Sequence, residues 1–215
     1  MRPTEKDSFT LRPADLADCA ELAELQLSAR AHAPMPAGVH GVVQLQRWLE
    51  GRWGGDEIWV AQRGRGLLGY ARFTAEWLDD LYVLPSAWGQ GVGSALLELV
   101  KAQRPHGFCL WVFESNTPAR RFYAHHGLVE LERSDGTANE ERSPDVRVAW
   151  PGTRPDEFLT ALLAEVDTQL EELRARRTAL VAALTATSAG AAPRGGPAPA
   201  APAPGFWGVV SRGKG

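Results

Sequence analysis

The sequence predicts an α/β fold with a mixed central sheet flanked by helices, followed by a coiled-coil-like helix and a disordered tail. Apolar runs of strand length alternate with amphipathic segments up to Trp150, which is the pattern of an α/β sandwich around one sheet. Beyond that point the apolar residues recur every three or four positions, and from Ser188 the composition changes to Ala, Pro and Gly. We therefore expect an α/β domain at 8–150, a helix at 154–187 and a tail at 188–215.

The first half of the α/β domain reads as a strand, two helices and a hairpin. "FTLRPADLADCAELAELQL" predicts a short strand and then a helix capped near Asp15, with one face formed by Leu16, Ala20, Ala23 and Leu27. The Pro- and Gly-rich "HAPMPAGVHG" predicts a loop, and "VVQLQRWLEG" predicts a second, short helix. "IWVAQ" and "LLGYARF", separated by "RGRG", predict a hairpin.

The second half adds four strands and two helices. "WLDDLYVL" predicts a strand that ends at Pro85, and "SALLELVKAQR" predicts a helix. "GFCLWVF" is nearly continuously apolar, as in a strand buried on both faces. "NTPARRFYAHHG" predicts a helix with Thr117 as N-cap, Pro118 at the first helical position and Gly127 as its stop. "LVELE" and "VRVAW" complete the order β α α β β β α β α β β.

Composition and charge exclude several classes of protein. The net charge of −3 argues against broad binding to nucleic acid or to anionic membranes. The N-terminus lacks an apolar signal segment and no run is long enough to span a bilayer, so a cytoplasmic location is expected. Cys19 and Cys109 are far apart and read as buried, reduced thiols. The adjacent His125 and His126 point in different directions on a helix, so no metal site is expected.

The C-terminal segment carries a coiled-coil seam. Its seven apolar residues alternate spacings of three and four, and Arg177 fills the remaining seam position; the seven are Leu159, Leu163, Val166, Leu170, Leu173, Leu180 and Leu184. This pattern predicts a helix partner and a homodimer formed through the helix. The tail after it has too few apolar residues to offset the entropy of ordering, so disorder is expected.

A glycine-rich turn precedes the helix "SALLELVKAQR". In "LYVLPSAWGQGVGSALL", Gly89, Gly91 and Gly93 occupy three of five positions. The turn is not a Walker loop, because Gly93 is followed by Ser94-Ala95, and it lacks the third glycine of the dinucleotide fingerprint. Small residues at a helix N-terminus let an anion approach the backbone N–H groups closely.

Two motifs together resemble the GCN5-related N-acetyltransferase (GNAT) superfamily, over about residues 8 to 150. The first is a strand ending in "LYV", then Pro85, then "WGQGVGSALL" at the start of a helix. The second is "ESNTPARRFYAHHGL", which is similar to the family's signature of Asn, Ala, Tyr and Gly-Phe. Trp88 stands where the family usually has Arg or Gln, and Leu128 stands where it usually has Phe.

The resemblance implies an acetyl-CoA-dependent N-acetyltransferase that transfers an acetyl group to a primary amine by direct attack. The pyrophosphate of acetyl-CoA is expected at the glycine turn, on Gly89, Gln90, Gly91, Val92, Gly93 and Ser94. The edge of the preceding strand, at Leu81, Tyr82 and Val83, is expected to pair with the pantetheine arm, to which Asn116 also hydrogen-bonds. By the same resemblance, Tyr123 protonates the CoA thiolate.

The base that deprotonates the amine is less defined by the sequence. A lysine-type amine costs roughly 4–5 kcal/mol to deprotonate at pH 7, whereas an α-amine costs about 1 kcal/mol. Glu76, Asp79 and Asp80 are the candidates, and alternation along the strand lets only one of Asp79 and Asp80 face a cleft. We assign the role to Asp80 and Glu76. Some peptide-acetylating members have a Glu on the fifth strand, where this chain has Trp111.

The acceptor pocket is expected between the "HAPMPAGVHG" loop, the second helix and the ends of the hairpin. Its candidate lining residues are His32, Met35, His40 and Trp48. The acceptor amine can be a small molecule, a protein N-terminus or a lysine side chain. The alternative function is a catalytically weak CoA-binding sensor or interaction module that acts through its C-terminal helix.

Overall fold

The computed structural model describes residues 8–189. Its strands are β1 (Thr10–Pro13), β2 (Glu57–Arg63), β3 (Gly66–Phe73), β4 (Leu78–Val83), β5 (Phe108–Phe113), β6 (Val129–Ser134) and β7 (Asp145–Trp150). Its helices are α1 (Cys19–His32), α2 (Val42–Gly51), α3 (Val92–Gln103), α4 (Thr117–His125) and α5 (Pro155–Ala189). The order of strands and α-helices is the predicted one, and the α/β fold class is confirmed.

The central sheet is split into two antiparallel ladders. One has the strand order β1-β2-β3-β4 and the other has the order β5-β7-β6. They meet at one parallel bridge between Trp77 and Cys109, where the Cys109 N–H donates to the Glu76 carbonyl over 2.8 Å. No further pairing joins β4 to β5 within the described residues, so the two strands separate beyond this bridge and leave a cleft between them.

Helices cover both faces of the first ladder. Val60 of β2 belongs to a core with α1 and α2, whereas the next residue, Ala61, belongs to a core with α3 and the second ladder. Side chains alternate across a strand, so successive residues enter different cores. The glycine turn lies at the N-terminus of α3, beside the end of β4, since a Cβ added at Gly93 would lie 3.7 Å from the Val83 side chain.

Two local predictions in the helices are wrong. The apolar face predicted for α1 differs from the buried face in the structure. Leu16 lies in a separate 3-10 turn and is exposed. The buried face is centred on Leu22, Ala23 and Gln26. In α4 the N-cap is Asn116 and not Thr117, since the Asn116 Oδ1 accepts a hydrogen bond from the Ala119 N–H over 3.3 Å. The start of α1 is shifted by about one turn and the N-cap of α4 by one residue, at boundaries that local sequence defines weakly.

The long helix α5 contains 35 residues. The chain divides into two compact units between Ala164 and Glu165, so the helix begins in the first unit and continues through the second. In the first unit the Phe158 ring packs against Gly107 so closely that a Cβ added there would lie 2.5 Å from it. The predicted disordered tail at 188–215 lies almost wholly outside the described residues. Among the described helices, none has the length and apolar character needed to cross a bilayer.

Candidate active site

The gap between β4 and β5 is a cleft of about 790 Å³. Both ladders line it, and α1, α3, α4 and the loop after α1 complete the walls. Ten of the sequence-predicted site residues line it: Leu81, Tyr82, Val83, Gly89, Gly91, Val92, Gly93, Ser94, Asn116 and Tyr123. The split in the sheet therefore gathers residues from four separate elements into one site.

The glycine turn leaves the N-terminus of α3 open to the cleft. Gly89 has φ +73° and Gly91, the N-cap of α3, has φ +82°, a left-handed conformation that side-chain-bearing residues rarely adopt. A Cβ added at either residue would meet no atom within 4 Å, so the space in front of both is free. The N–H groups and the partial positive charge of a helix end attract anions, and here the end of the helix is accessible from the cleft.

Gln90 differs from its neighbours in the turn because its side chain points away from the cleft. Its Nε2 donates to the Ser86 carbonyl over 2.6 Å, and its Oε1 accepts from the Arg63 Nη2 over 3.0 Å. These bonds fix the turn to β2. The Gln90 backbone N–H also donates to the Ala87 carbonyl, over 3.3 Å, so Gln90 holds the turn and does not line the cleft.

A polar network that the sequence analysis missed supports Ser94 from behind. The Ser94 Oγ lies 3.0 Å from the Nε2 of His126, whose Nδ1 lies 3.3 Å from the Glu98 Oε1. The Lys101 Nζ donates to both Glu98 and the His126 carbonyl, over 2.9 and 2.7 Å. The network joins the first turn of α3 to the end of α4, and it fixes the side chain of Ser94 at the start of α3.

Trp88 reaches the edge of β4. Its indole N–H donates to the Val83 carbonyl over 2.8 Å, although about half of the residue remains exposed in the cleft wall. One carbonyl of the expected pantetheine-binding edge is therefore already paired within the protein. The motif position where the family usually has Arg or Gln here supplies a structural hydrogen bond.

Asn116 and Tyr123 approach the cleft from α4. The Asn116 Oδ1 caps the helix, which leaves its Nδ2, 4.0 Å from the Met35 sulfur, directed toward the cleft. Tyr123 is only 8% exposed, and burial raises the pKa of its phenol, with smaller contributions from Tyr82 and Asp80. The phenol is therefore protonated at neutral pH, as an unperturbed tyrosine would be, and the raised pKa keeps it so at higher pH.

The two carboxylates assigned as bases lie outside the cleft. The Asp80 Oδ2 is buried and accepts from the Arg72 Nε over 2.6 Å, so its charge is committed to a buried ion pair. Glu76 is exposed ahead of β4 and contributes only its carbonyl to the joint between the ladders. The geometry brings neither carboxylate to the lining of the cleft.

Asp79 is the carboxylate that does line it. Arg72 pairs with Asp80 and Phe73 pairs with Leu78, so Asp79 is the extra residue of a β-bulge in β4. Its side chain is 24% exposed and lies 3.5 Å from the Arg72 Nη1. Burial raises the pKa of Asp79 to about 6, against the opposing attraction of Arg72. A carboxylate with this pKa suits general base work near neutral pH.

The loop after α1 forms the wall of the cleft where the sequence analysis expected the acceptor pocket. Of the four predicted lining residues, His32 and Met35 line the cleft. His40 instead contacts the Glu140 Oε2 over 2.7 Å, and Trp48 stacks on Arg72, whose Cζ lies 4.4 Å from the ring centroid. The half of this set that is nearest to α1 therefore lines the cleft, and the other half does not.

Arg30, which the sequence did not single out, holds this loop in place. Its Nη2 donates to the Pro36 carbonyl over 3.2 Å and to the Glu141 Oε1 over 2.7 Å, and its Nη1 donates to the Tyr82 hydroxyl over 3.3 Å. The ion pair is nearly buried, with side-chain exposures of 11% for Arg30 and 15% for Glu141. One side chain therefore links α1, β4 and the loop between β6 and β7.

Comparison with known proteins gives a family for the central segment. Residues 54–130 match the sequence model of a family described as the acetyltransferase (GNAT) domain. The peptidyl-lysine N-acetyltransferase YiaC of Escherichia coli (strain K12) is 31% identical over 96 residues, which are 43% of this chain and 62% of YiaC. The chain thus spans less than two thirds of the length of this curated relative.

Solved structures share the fold. YjaB from Escherichia coli superposes with a TM-score of 0.56 at 21% identity, over 68% of this chain and 99% of YjaB. The yncA protein of Salmonella typhimurium, solved with its cofactor acetyl-CoA, superposes with a TM-score of 0.54 at 22% identity, over 66% of this chain and 93% of yncA. At these identities the likeness is one of fold.

Proposed function

The chain carries a domain of the GNAT acetyltransferase superfamily, and from that premise we propose that it transfers the acetyl group of acetyl-CoA to a primary amine. One observation carries the proposal: the open N-terminus of α3, the proton donor Tyr123 and the carboxylate of Asp79 line the same cleft. An anion site, an acid and a base are the three groups that acetyl transfer to an ammonium requires.

The groups that line the cleft suit the pyrophosphate and the pantetheine arm of acetyl-CoA. The N–H groups of Gly89, Gly91 and the first turn of α3 would hold the pyrophosphate, because no side chain fills the space in front of Gly89 and Gly91. The Gln90 N–H would take no part, since it donates to the Ala87 carbonyl. The free edge of β4 at Leu81 and Tyr82 would hold the pantetheine arm, with the Nδ2 of Asn116 as a further donor. The Val83 carbonyl would take no part, since Trp88 occupies it.

Bound acetyl-CoA supplies a thioester, whose carbonyl carbon bonds to the amine nitrogen while the C–S bond breaks. Tyr123 donates its phenolic proton to the departing sulfur, and the second proton that the nitrogen loses as the amide forms returns to the phenolate through water. Asp79 takes the proton from the ammonium, directly or through water, and at pH 7.5 it is mostly ionised. This assigns the base to the bulge residue rather than to Asp80 or Glu76.

The acceptor we propose is a lysine side chain of a peptide or protein. Two observations support it: the relative that matches over 96 residues is a peptidyl-lysine N-acetyltransferase, and Asp79 supplies the base that a lysine amine demands. An α-amine needs much less help, so a dedicated carboxylate favours the more basic acceptor.

An acceptor panel with the full chain tests this proposal. Thiol release from acetyl-CoA is followed with an N-terminally blocked lysine peptide, a lysine-free peptide with a free α-amine, and a small diamine, while acetyl-CoA binding is measured by calorimetry. We expect the largest kcat/KM for the lysine peptide. Preference for the α-amine contradicts the lysine assignment, binding without turnover identifies the alternative sensor function, and absence of binding contradicts both.

A matched pair of tyrosine variants tests the chemical role of Tyr123. Tyr123→Phe is expected to lower kcat by about 10²-fold or more, with the acetyl-CoA dissociation constant changed less than twofold. Tyr82→Phe, which removes the other tyrosine hydroxyl lining the cleft, is expected to change kcat less than about tenfold. Equal effects of the two variants on kcat would assign Tyr123 to packing alone.

A further inference from the structure

The helix α5 presents an apolar stripe to solvent. Its seven seam residues are between 40% and 68% exposed, and they are Leu159, Leu163, Val166, Leu170, Leu173, Leu180 and Leu184. A continuous stripe of this length is an interaction surface, and its alternating spacing of three and four is that of helix pairing.

The heptad positions of α5 follow from that spacing. Leu163, Leu170, Arg177 and Leu184 occupy the a positions, and Leu159, Val166, Leu173 and Leu180 occupy the d positions. The flanking e positions are Thr160, Asp167, Arg174 and Val181, and the flanking g positions are Leu162, Gln169, Arg176 and Ala183. Flanking charges set the orientation of the partner, so the pair Asp167 and Arg174 is decisive.

We propose that the partner of α5 is a second copy of the same helix, paired antiparallel, with Leu170 opposite the partner's Leu173. In an antiparallel pair each a residue faces a d residue. This register matches all eight seam positions in four kinds of layer: Leu159 with the partner's Leu184, Leu163 with the partner's Leu180, Val166 with the partner's Arg177, and Leu170 with the partner's Leu173. The seam is therefore self-complementary, as a twofold dimer requires.

The flanking charges select this register. Antiparallel helices place e positions opposite e positions, so Asp167 faces the partner's Arg174, and symmetry repeats the pair. Shifting the register by one heptad in one direction places Asp167 opposite the partner's Asp167. Shifting it by one heptad in the other direction places Arg174 opposite the partner's Arg174. Either shift also leaves two of the eight seam positions without a partner. Arg174 is free to make this contact, because its bond to Glu171 lies on the helix surface with both side chains more than 60% exposed.

A parallel dimer is disfavoured by the same residues. Parallel helices pair a with a, so Arg177 would face the partner's Arg177 inside the seam, where like charges are costly. Their flanking pairs, between g and the e position five residues later, would include no opposite charges. In the antiparallel register Arg177 instead packs its aliphatic stem on the partner's Val166 and extends its head toward the partner's Asp167.

Charge reversal in the full chain tests the register. Asp167→Arg and Arg174→Asp, each alone, are expected to raise the dimer dissociation constant at least about tenfold, since two attractive pairs become repulsive. An equimolar mixture of the two variants is expected to restore a dimer, because every facing pair is then opposite in sign. Glu172→Arg, at an outward position of the same helix, serves as the control. Masses are measured by light scattering and sedimentation over a micromolar concentration series.

Cysteine pairing tests the orientation independently. A mixture of Leu163→Cys and Leu180→Cys chains is expected to form a mixed disulfide that neither chain forms alone. Self-crosslinking of each variant would establish a parallel pair and overturn the register. A monomeric wild-type chain at these concentrations, a dimer that survives Leu170→Asp, or a mixture that fails to recover would overturn the proposal.

Discussion

The two sides of the cleft are built in different ways. On the side of α3, the proposed binding groups are backbone N–H groups and strand edges, held by glycines that lie within a few residues of each other. On the side of the loop after α1, the wall is held by side-chain ion pairs such as Arg30 with Glu141, whose members lie 111 positions apart. A backbone site tolerates varied side chains around it, whereas a wall of ion pairs depends on particular long-range partners. We expect the first side to set cosubstrate affinity and the second to set acceptor recognition.

The largest effect is expected from filling the glycine turn. Gly91→Val places a β-branched side chain in the open space in front of α3, and we expect acetyl-CoA affinity to fall by roughly 100-fold or more. Gly64→Val is the matched control, because Gly64 also has a positive φ and free space but lies in the β2–β3 turn. Calorimetry measures both affinities. An unchanged acetyl-CoA affinity in Gly91→Val would show that the pyrophosphate does not bind at this turn.

Neighbouring aspartates are expected to respond in opposite directions. Asp79→Asn should lower kcat/KM by about 10²-fold and remove the fall in rate that protonation of Asp79 causes below pH 6. Because the folded state raises the pKa of Asp79, its ionisation opposes folding as the pH rises from about 4 through 6. Asp79→Asn should therefore increase the free energy of unfolding at pH 7.5 by about 1 kcal/mol, because the carboxylate is partly exposed and solvent screens its charge.

Asp80→Asn is the control for that experiment. It leaves the buried Arg72 with one carboxylate fewer, so it should lower the free energy of unfolding by about 3 kcal/mol at the same pH. Denaturant titrations at pH 4 and pH 7.5 distinguish the two residues. If both variants destabilise the fold equally, Asp79 is an ion-pair residue and not a base.

A smaller effect is expected on the acceptor side. Glu141→Gln removes the charge that holds Arg30, and we expect the KM for the lysine peptide to rise by about three- to tenfold with the KM for acetyl-CoA unchanged. Glu140→Gln, one residue away and paired only with the exposed His40, should change neither KM by more than about twofold. Equal changes in both KM values would show that this loop serves the cosubstrate as well.

The smallest effect is expected at the network behind Ser94. His126→Phe preserves the ring packing on Phe122 but removes the contacts with Ser94 and Glu98, and we expect the KM for acetyl-CoA to rise by about two- to fivefold. His125→Phe, on the exposed side of the same helix, controls for the loss of a histidine. An altered kcat with an unchanged KM would place His126 in the chemistry instead.

The same contrast explains what could be predicted from the sequence. The order of strands and helices along the chain, and the glycine turn, could be predicted from short stretches such as "WGQGVGSALL". In such stretches, periodicity and small residues depend only on neighbouring positions. The base was assigned to Asp80 on strict alternation of side chains along β4, and alternation alone does not predict a bulge. The structure has a bulge in which Asp79 is the extra residue, so Asp79 lines the cleft and Asp80 does not. Arg30 and His126 carry no local signal, since their partners are supplied by distant elements.

The split sheet also bears on solubility. An open strand edge is a template for pairing with other chains, and proteins normally shield such edges with charges, prolines or covering elements. Here the unpaired edges of β4 and β5 belong to one fold and face each other across a narrow gap, roofed by the loop after α1. Each edge therefore restricts the access of another chain's strand to the other edge. The fold can keep backbone groups unpaired for a ligand while limiting intermolecular strand pairing, which leads to aggregation.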